Sequence, residues 1–163
     1  MKYRPDITVS TIPLPARRLL VKRGANAADY FAYCEELGCG VWDELLAYPG
    51  RDGEPLCLWL PDNLRKPGTS AYVQGLVLGK DMTGPAPEGF DPIGLPAATY
   101  LRFQGPPFED KDFESAIGAV RDFMAAYDPA VAGFQWDDSQ PRIQLEPRGE
   151  RGYVELRAVK ALR

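Results

Sequence analysis

The chain has no histidine among its 163 residues. That absence removes Ser-His-Asp and Cys-His nucleophilic arrangements, and with them the imidazole-dominated catalytic zinc sites. Any chemistry must run on carboxylates, phenols, amines or thiols. Thiols are scarce too. Cys34, Cys39 and Cys57 are an odd number with no framework spacing, which points to a reducing cytoplasm and to small buried thiols rather than a metal site. No metal and no cofactor is expected. No run approaches the roughly 20 apolar residues that cross a bilayer, and MKYRPDITVS carries no signal-like apolar core, so a membrane partner is not expected. Basic residues are not in excess, 19 against 23 acidic for a net charge of −4, which argues against direct binding to nucleic acid. The stretch GLVLGKD (75–81) is no phosphate loop: its glycines stand one residue too close, and Asp81 occupies the place of the magnesium-binding Ser or Thr.

What is present suffices for a core: 45% of the residues are apolar, in a length that suits one domain. ITVSTIPLPARRLLVKRG (7–24) reads as one bent strand or two short ones, interrupted by Pro13 and Pro15. Asn26 is the expected N-cap of a helix with the stripe Tyr30, Cys34, Leu37, Val41 and Leu45. Gly38-Cys39-Gly40 bends or breaks it, and Pro49-Gly50 ends it. Strands are expected near 54–60 and 71–79, paired as a hairpin. KDMTGPAPEGFDPIGLP (80–96) reads as a connector. A strand follows near 97–103, then a helix whose face is Phe113, Ile117, Val120, Met124 and Tyr127, stopped by Asp128-Pro129. GFQWDDSQP (133–141) reads as a loop, and PRIQLEP and RGYVELRAV as the last two strands across a turn at 148–152.

Strand, helix, strand, strand thus occurs twice, over about 5–80 and about 95–163. The predicted fold class is α+β: two strand-helix-strand-strand units sharing a mainly antiparallel sheet, with a ligand cleft between the halves.

In PRIQLEP, Ile143 and Leu145 alternate with Gln144 and Glu146, the period of a strand with two different faces. Cys57 and Trp59 oppose Leu58 and Leu60, and Tyr72 and Gln74 oppose Val73 and Val77. If the small aliphatics face the helices, Trp59, Tyr72 and Glu146 face the cleft. Trp136, in the loop before the strand of Glu146, is a candidate lid. Tyr100 is a further wall candidate, opposite Leu101 and Phe103. Tyr33 and Trp42 read as helix packing, and Glu35-Glu36 and Asp137-Asp138 as solvated surface.

These segments resemble GyrI-like proteins, the effector-binding module of AraC-type and MerR-type multidrug regulators. GLPAATYLRFQG resembles the strand that opens their second half, AYVQGLVLG their strand with an aromatic ahead of a glycine, GVWDELLAY their first helix, and PRIQLEP the late strand that carries a glutamate. The resemblance covers about residues 5–162 and rests on the order of these segments. It implies pseudo-two-fold symmetry between the two units and a carboxylate ringed by aromatics in the cleft between them, which maps to Glu146. Here Pro147-Arg148 follow that glutamate, where many members have an aromatic pair or an apolar residue and a tyrosine.

The resemblance implies a stand-alone cytoplasmic module that binds or senses hydrophobic small molecules, cations among them, with Glu146 as the charge and Trp59, Tyr72, Trp136 and Tyr100 as stacking partners. With no helix-turn-helix segment, transcription regulation would run through a protein partner. Some GyrI-like proteins hydrolyse strained toxins, which makes a hydrolase with Glu146 as general base the alternative. A protein-interaction module such as a gyrase inhibitor is the third reading.

Overall fold

The computed structural model describes residues 6–82 and 84–162. The first five residues, with which the signal-sequence reading began, lie outside that range, as do positions 83 and 163. The described elements are β1 (Thr8–Leu14), β2 (Arg17–Arg23), α1 (Tyr30–Leu37), α2 (Gly40–Ala47), β3 (Leu56–Trp59), β4 (Tyr72–Val77), β5 (Asp91–Leu95), β6 (Ala98–Gln104), α3 (Phe113–Ala126), β7 (Phe134–Trp136), β8 (Arg142–Gln144) and β9 (Val154–Ala161). The strands form one antiparallel sheet in the order β1-β6-β9-β8-β3-β4-β2-β5, with β7 also paired to β9. This is the expected α+β class. Among the described residues, no helix is long and apolar enough to cross a membrane.

Local chemistry sets the ends of the helices. Asp29, not Asn26, caps α1: its Oδ1 accepts the Ala32 N–H at 2.9 Å. Asn26 instead donates its own backbone N–H to Glu36, at 2.8 Å. The first helical stripe is broken where the glycines stand. Gly38 takes φ 83 and returns its N–H to the Cys34 carbonyl, an ending that a Cβ would resist. The α3 stripe buries Val120 and Met124. Two segments read as irregular carry short strands instead. β5 lies in the expected connector, at the sheet edge against β2 alone, where a strand tolerates Pro92. β7 lies in the expected loop and holds its place only by pairing with the distant β9.

The sheet order reads the same from both ends. β1 matches β5, β2 matches β6, β4 matches β9, and β3 matches β8, so a pseudo-two-fold axis passes through the paired Cys57 and Gln144. Leu14-Pro15-Ala16 recurs as Leu95-Pro96-Ala97 at the equivalent corner. These corners force the sheet to curl. β1 and β2 stand six strand spacings apart, about 29 Å if the sheet were flat. The chain from Leu14 to Arg17 reaches at most about 11 Å. The curl accordingly brings the Arg17 guanidinium of β2 to 5.7 Å from the Tyr100 ring of β6.

Curling sorts the side chains by shape. The concave, helix-free face is filled by Leu19, Val21, Leu58, Val73, Ile143, Val154 and Leu156. On the convex face α1 and α2 lay Tyr33, Val41 and Leu45 over Leu20, Tyr72 and Leu76, while α3 lays Val120 and Met124 over Leu101, Phe103 and Tyr153. Each such burial contributes roughly 1.5–3 kcal/mol. The face assignment from sequence is therefore reversed: the helices cover the aromatic and polar face, and the branched aliphatics fill the tight concave side. Tyr33, Tyr72, Phe103 and Tyr153 lie beneath the helices, while Tyr100 packs on the concave face. Close approach is required once inside the sheet, where a Cβ on Gly75 would press into the Leu20 carbonyl of β2.

Candidate functional site

The helices do not close over the middle of the sheet. Between the α1–α2 pair and α3 lies a crevice of about 420 Å³, within the roughly 300–1,000 Å³ of small-molecule sites. Its floor is Cys57 and Gln144, the pair on the pseudo-two-fold axis. Tyr30 and Trp42 stand on one wall, Phe113 and Ile117 on the other, and Glu146 just past the end of β8. At the mouth Phe31 is 64% exposed and Tyr30 41%, a costly placement for aromatic rings unless something covers them. The indole N–H of Trp42 is buried and has no acceptor among the described residues.

Charge is arranged in two layers. Asp29, Asp43 and Glu146 line the crevice. Glu146 shares its charge with Arg148, whose Nε is 3.1 Å away. The deeper layer centres on Glu155 of β9, which is fully buried. It accepts from the Tyr153 hydroxyl at 2.7 Å and from Arg121 Nε at 3.3 Å, and it pairs with Arg142. Arg121 also lines the crevice, so this ion pair draws the cation of the wall inward. Burial lowers the proton affinity of Arg121, but Tyr153 and Glu155 outweigh it, and the guanidinium is held above its ordinary range.

The aromatic wall behind the floor is rigid. Tyr33, Tyr72 and Trp59 meet edge to face at 5.4 and 5.3 Å. The Tyr33 hydroxyl donates to the Lys22 carbonyl at 2.6 Å, and Trp59 Nε1 donates to the Ala28 carbonyl at 3.0 Å. Guanidiniums of Arg121 and Arg142 lie 5.5 and 5.1 Å from the Trp59 ring. Burial pushes the hydroxyls of Tyr33, Tyr72 and Tyr153 far up from their ordinary range, and the Cys57 thiol up to about 12. Burial therefore holds Cys57 as a neutral thiol in the floor.

The structure distributes the residues singled out from sequence as follows. Glu146 is on the crevice wall. Trp59 and Tyr72 are behind the floor, in the core beneath α1 and α2, with Tyr72 fully buried. Trp136 is in β7, 6.3 Å from the Phe103 ring and 4.2 Å beneath the Arg157 guanidinium, under α3 and not over the crevice. Tyr100 is on the concave face. Trp42, read as packing, lines the crevice. The cysteines are not uniformly buried: Cys57 is, Cys34 is half-buried, and Cys39 is exposed at the crevice edge. Among the described residues, no group of three His, Cys, Asp or Glu could hold a metal ion.

Glu155 escaped the sequence reading because RGYVELRAV has the look of a strand with one solvated glutamate. The available signal was a repeat: Tyr72-Val73-Gln74 and Tyr153-Val154-Glu155 stand at equivalent places in the two units.

No protein-family profile matches the sequence, and no curated protein sequence matches it. Solved structures do. SAV2435 bound to tetraphenylphosphonium superposes with a TM-score of 0.54 at 17% identity, over 94% of this chain and 94% of that one. The EcmrR C-terminal domain superposes with a TM-score of 0.58 at 14% identity, over 96% and 99%. The "Putative bacterial transcription regulation protein from Staphylococcus aureus MU50" gives 0.53 at 17% identity, over 96% and 99%. These likenesses, together with the palindromic antiparallel sheet and its two helical covers, identify the architecture: the chain has the GyrI-like fold.

Proposed function

We propose that the chain binds a hydrophobic, aromatic cation in the crevice between α1–α2 and α3. The observation that carries this reading is the layering of charge: three carboxylates line the crevice, while Arg121 is drawn inward to Glu155. A cation entering between Tyr30, Phe31, Trp42 and Phe113 meets ring faces worth about 0.5–2 kcal/mol each. Asp29, Asp43 and Glu146 supply the opposite charge, with Glu146 weakened by Arg148. Trp59 lies behind the floor with Arg121 and Arg142 against its ring, so it offers no free ring face to the ligand. The Trp42 N–H offers a donor to any acceptor on the ligand. That SAV2435 holds tetraphenylphosphonium on the same fold supports the ligand class.

The test is a titration with tetraphenylphosphonium and with neutral triphenylphosphine oxide, followed by tryptophan fluorescence. Micromolar binding of the cation is expected, with the neutral compound at least tenfold weaker, about 1.4 kcal/mol. Asp43→Asn combined with Glu146→Gln should remove most of that preference. Equal affinity for both compounds overturns the role of charge, and binding unaffected by Trp42→Ala overturns the crevice.

A further inference from the structure

We propose a second ligand site on the opposite side of the sheet, for an elongated apolar molecule that ends in one anionic group. A cavity of about 710 Å³ opens at the concave face beside the Pro15-Ala16 corner. No helix covers this face. Its inner wall is aliphatic: Leu14, Leu56, Leu95, Ile143, Leu145 and Leu156 contribute from both units. Such a surface releases water to an apolar chain at roughly 25 cal/mol per Å² buried.

The rim has the opposite character to the crevice. Arg17, Arg18, Lys80 and Arg102 stand around it with Asp52 as the acidic counterpart, in a chain whose net charge is −4. None of these four cations is in an ion pair among the described residues. Arg102 donates to Gln104 at 2.6 Å, a neutral partner. Arg17 donates an Nη1–H to the Pro15 carbonyl at 3.2 Å, and its buried Nη2 meets no well-aligned acceptor among the described residues. Burial raises the proton affinity of the nearby Tyr100 hydroxyl, and the Arg17 guanidinium beside it opposes that rise through hydrogen bonding and charge. Unsatisfied buried donors are costly. A carboxylate at the rim would accept from Arg17 and face Arg102 while its chain lies along the leucines. Four clustered cations suit one anionic head and are too few for a polyanion track.

Calorimetric titration of the protein with dodecanoate, dodecanol and dodecyltrimethylammonium tests this. Dodecanoate should bind one to one, at least tenfold tighter than the alcohol, and the ammonium compound more weakly still. Raising the salt concentration should weaken dodecanoate alone. Saturating tetraphenylphosphonium should leave its affinity unchanged, and so should Trp42→Ala. Arg17→Gln combined with Arg102→Gln should cost tenfold or more. The comparison of acid with alcohol needs no variant, so misfolding of the double substitution cannot mask the answer. Equal binding of acid and alcohol, competition with tetraphenylphosphonium, or no binding of dodecanoate would each overturn the proposal.

Discussion

Gln74 and Glu155 occupy equivalent places on β4 and β9, and both are buried. Each follows a buried tyrosine by two residues and bonds its hydroxyl: Gln74 Nε2 to Tyr72 at 3.4 Å, and Tyr153 to Glu155 at 2.7 Å. The two units are thus alike in shape and unlike in charge. Arg121 and Arg142 hold the charged member, Glu155, and no hydrogen bond from an arginine reaches Gln74 among the described residues.

Replacing Glu155 should expose how much the fold depends on that charge. Glu155→Gln leaves two guanidiniums without their buried acid. Both arginine side chains are about 40% exposed and can turn toward water, so the loss should be about 1–3 kcal/mol, below that of a fully buried pair. A lower urea midpoint at unchanged slope is the expected result.

The reciprocal change, Gln74→Glu, should make stability depend on pH. The new carboxyl would be buried with no arginine beside it, so desolvation raises its folded pKa above the unfolded value near 4.3. Its protonated form is tolerated, and stability is lost as pH rises through the folded pKa. Urea midpoints at pH 4 and pH 7 should differ more in this variant than in the parent.

Alkali should unfold the parent protein. Tyr33, Tyr72 and Tyr153 have hydroxyls raised by burial, and the Cys57 thiol is raised to about 12. The unfolded chain loses those protons at about 8.5 for Cys and about 10 for Tyr. Their contribution is complete below pH 8.5 and falls as pH climbs above it, because only the unfolded state releases protons there. Phenolate absorbance from the buried tyrosines should therefore appear together with loss of the far-ultraviolet circular dichroism signal.

Thiol labelling should report on the crevice. Cys39 is exposed at its edge and Cys57 is its buried floor. A maleimide should modify Cys39 in the native protein and reach Cys57 only in denaturant. Tetraphenylphosphonium should slow the labelling of Cys39 if it occupies the crevice, and a bulky adduct there should abolish its binding.

Two glycine substitutions should act in opposite directions. Gly75→Ala drives a methyl into the Leu20 carbonyl and should cost about 1–3 kcal/mol. Gly118 lies within α3 with open space around a Cβ, so Gly118→Ala should stabilise by about 0.5–1 kcal/mol. Thermal midpoints measure both.

What was legible in the sequence was local. The α3 stripe from Phe113 to Tyr127, the break at Gly38–Gly40 and the hairpin of β3 and β4 follow from periodicity and turn chemistry within a few residues. β5 and β7 did not, because a short strand holding Pro92 or Trp136 is fixed by a partner far along the chain. Alternation in PRIQLEP separated Ile143 from Gln144 but could not say which face the helices cover, since that depends on the curl. The curl in turn follows from the two Leu-Pro-Ala corners, whose recurrence has meaning only once the strand order is known. Alternation and the family resemblance single out Glu146, on the premise that the aliphatic face meets the helices, while the more deeply held Glu155 looks like an ordinary strand glutamate until its arginines are located.

The corners have one more consequence. β1 of the first unit completes the edge beyond β6 of the second, and β5 of the second completes the edge beyond β2 of the first. The units have exchanged arms, so the molecule is organised like a strand-swapped homodimer threaded onto one chain. Neither half owns all the strands of its own side. A single proteolytic nick in the segment before β5 should leave two fragments clasped together, separable only by denaturant, and each fragment alone would carry an unpaired edge open to the wrong partner.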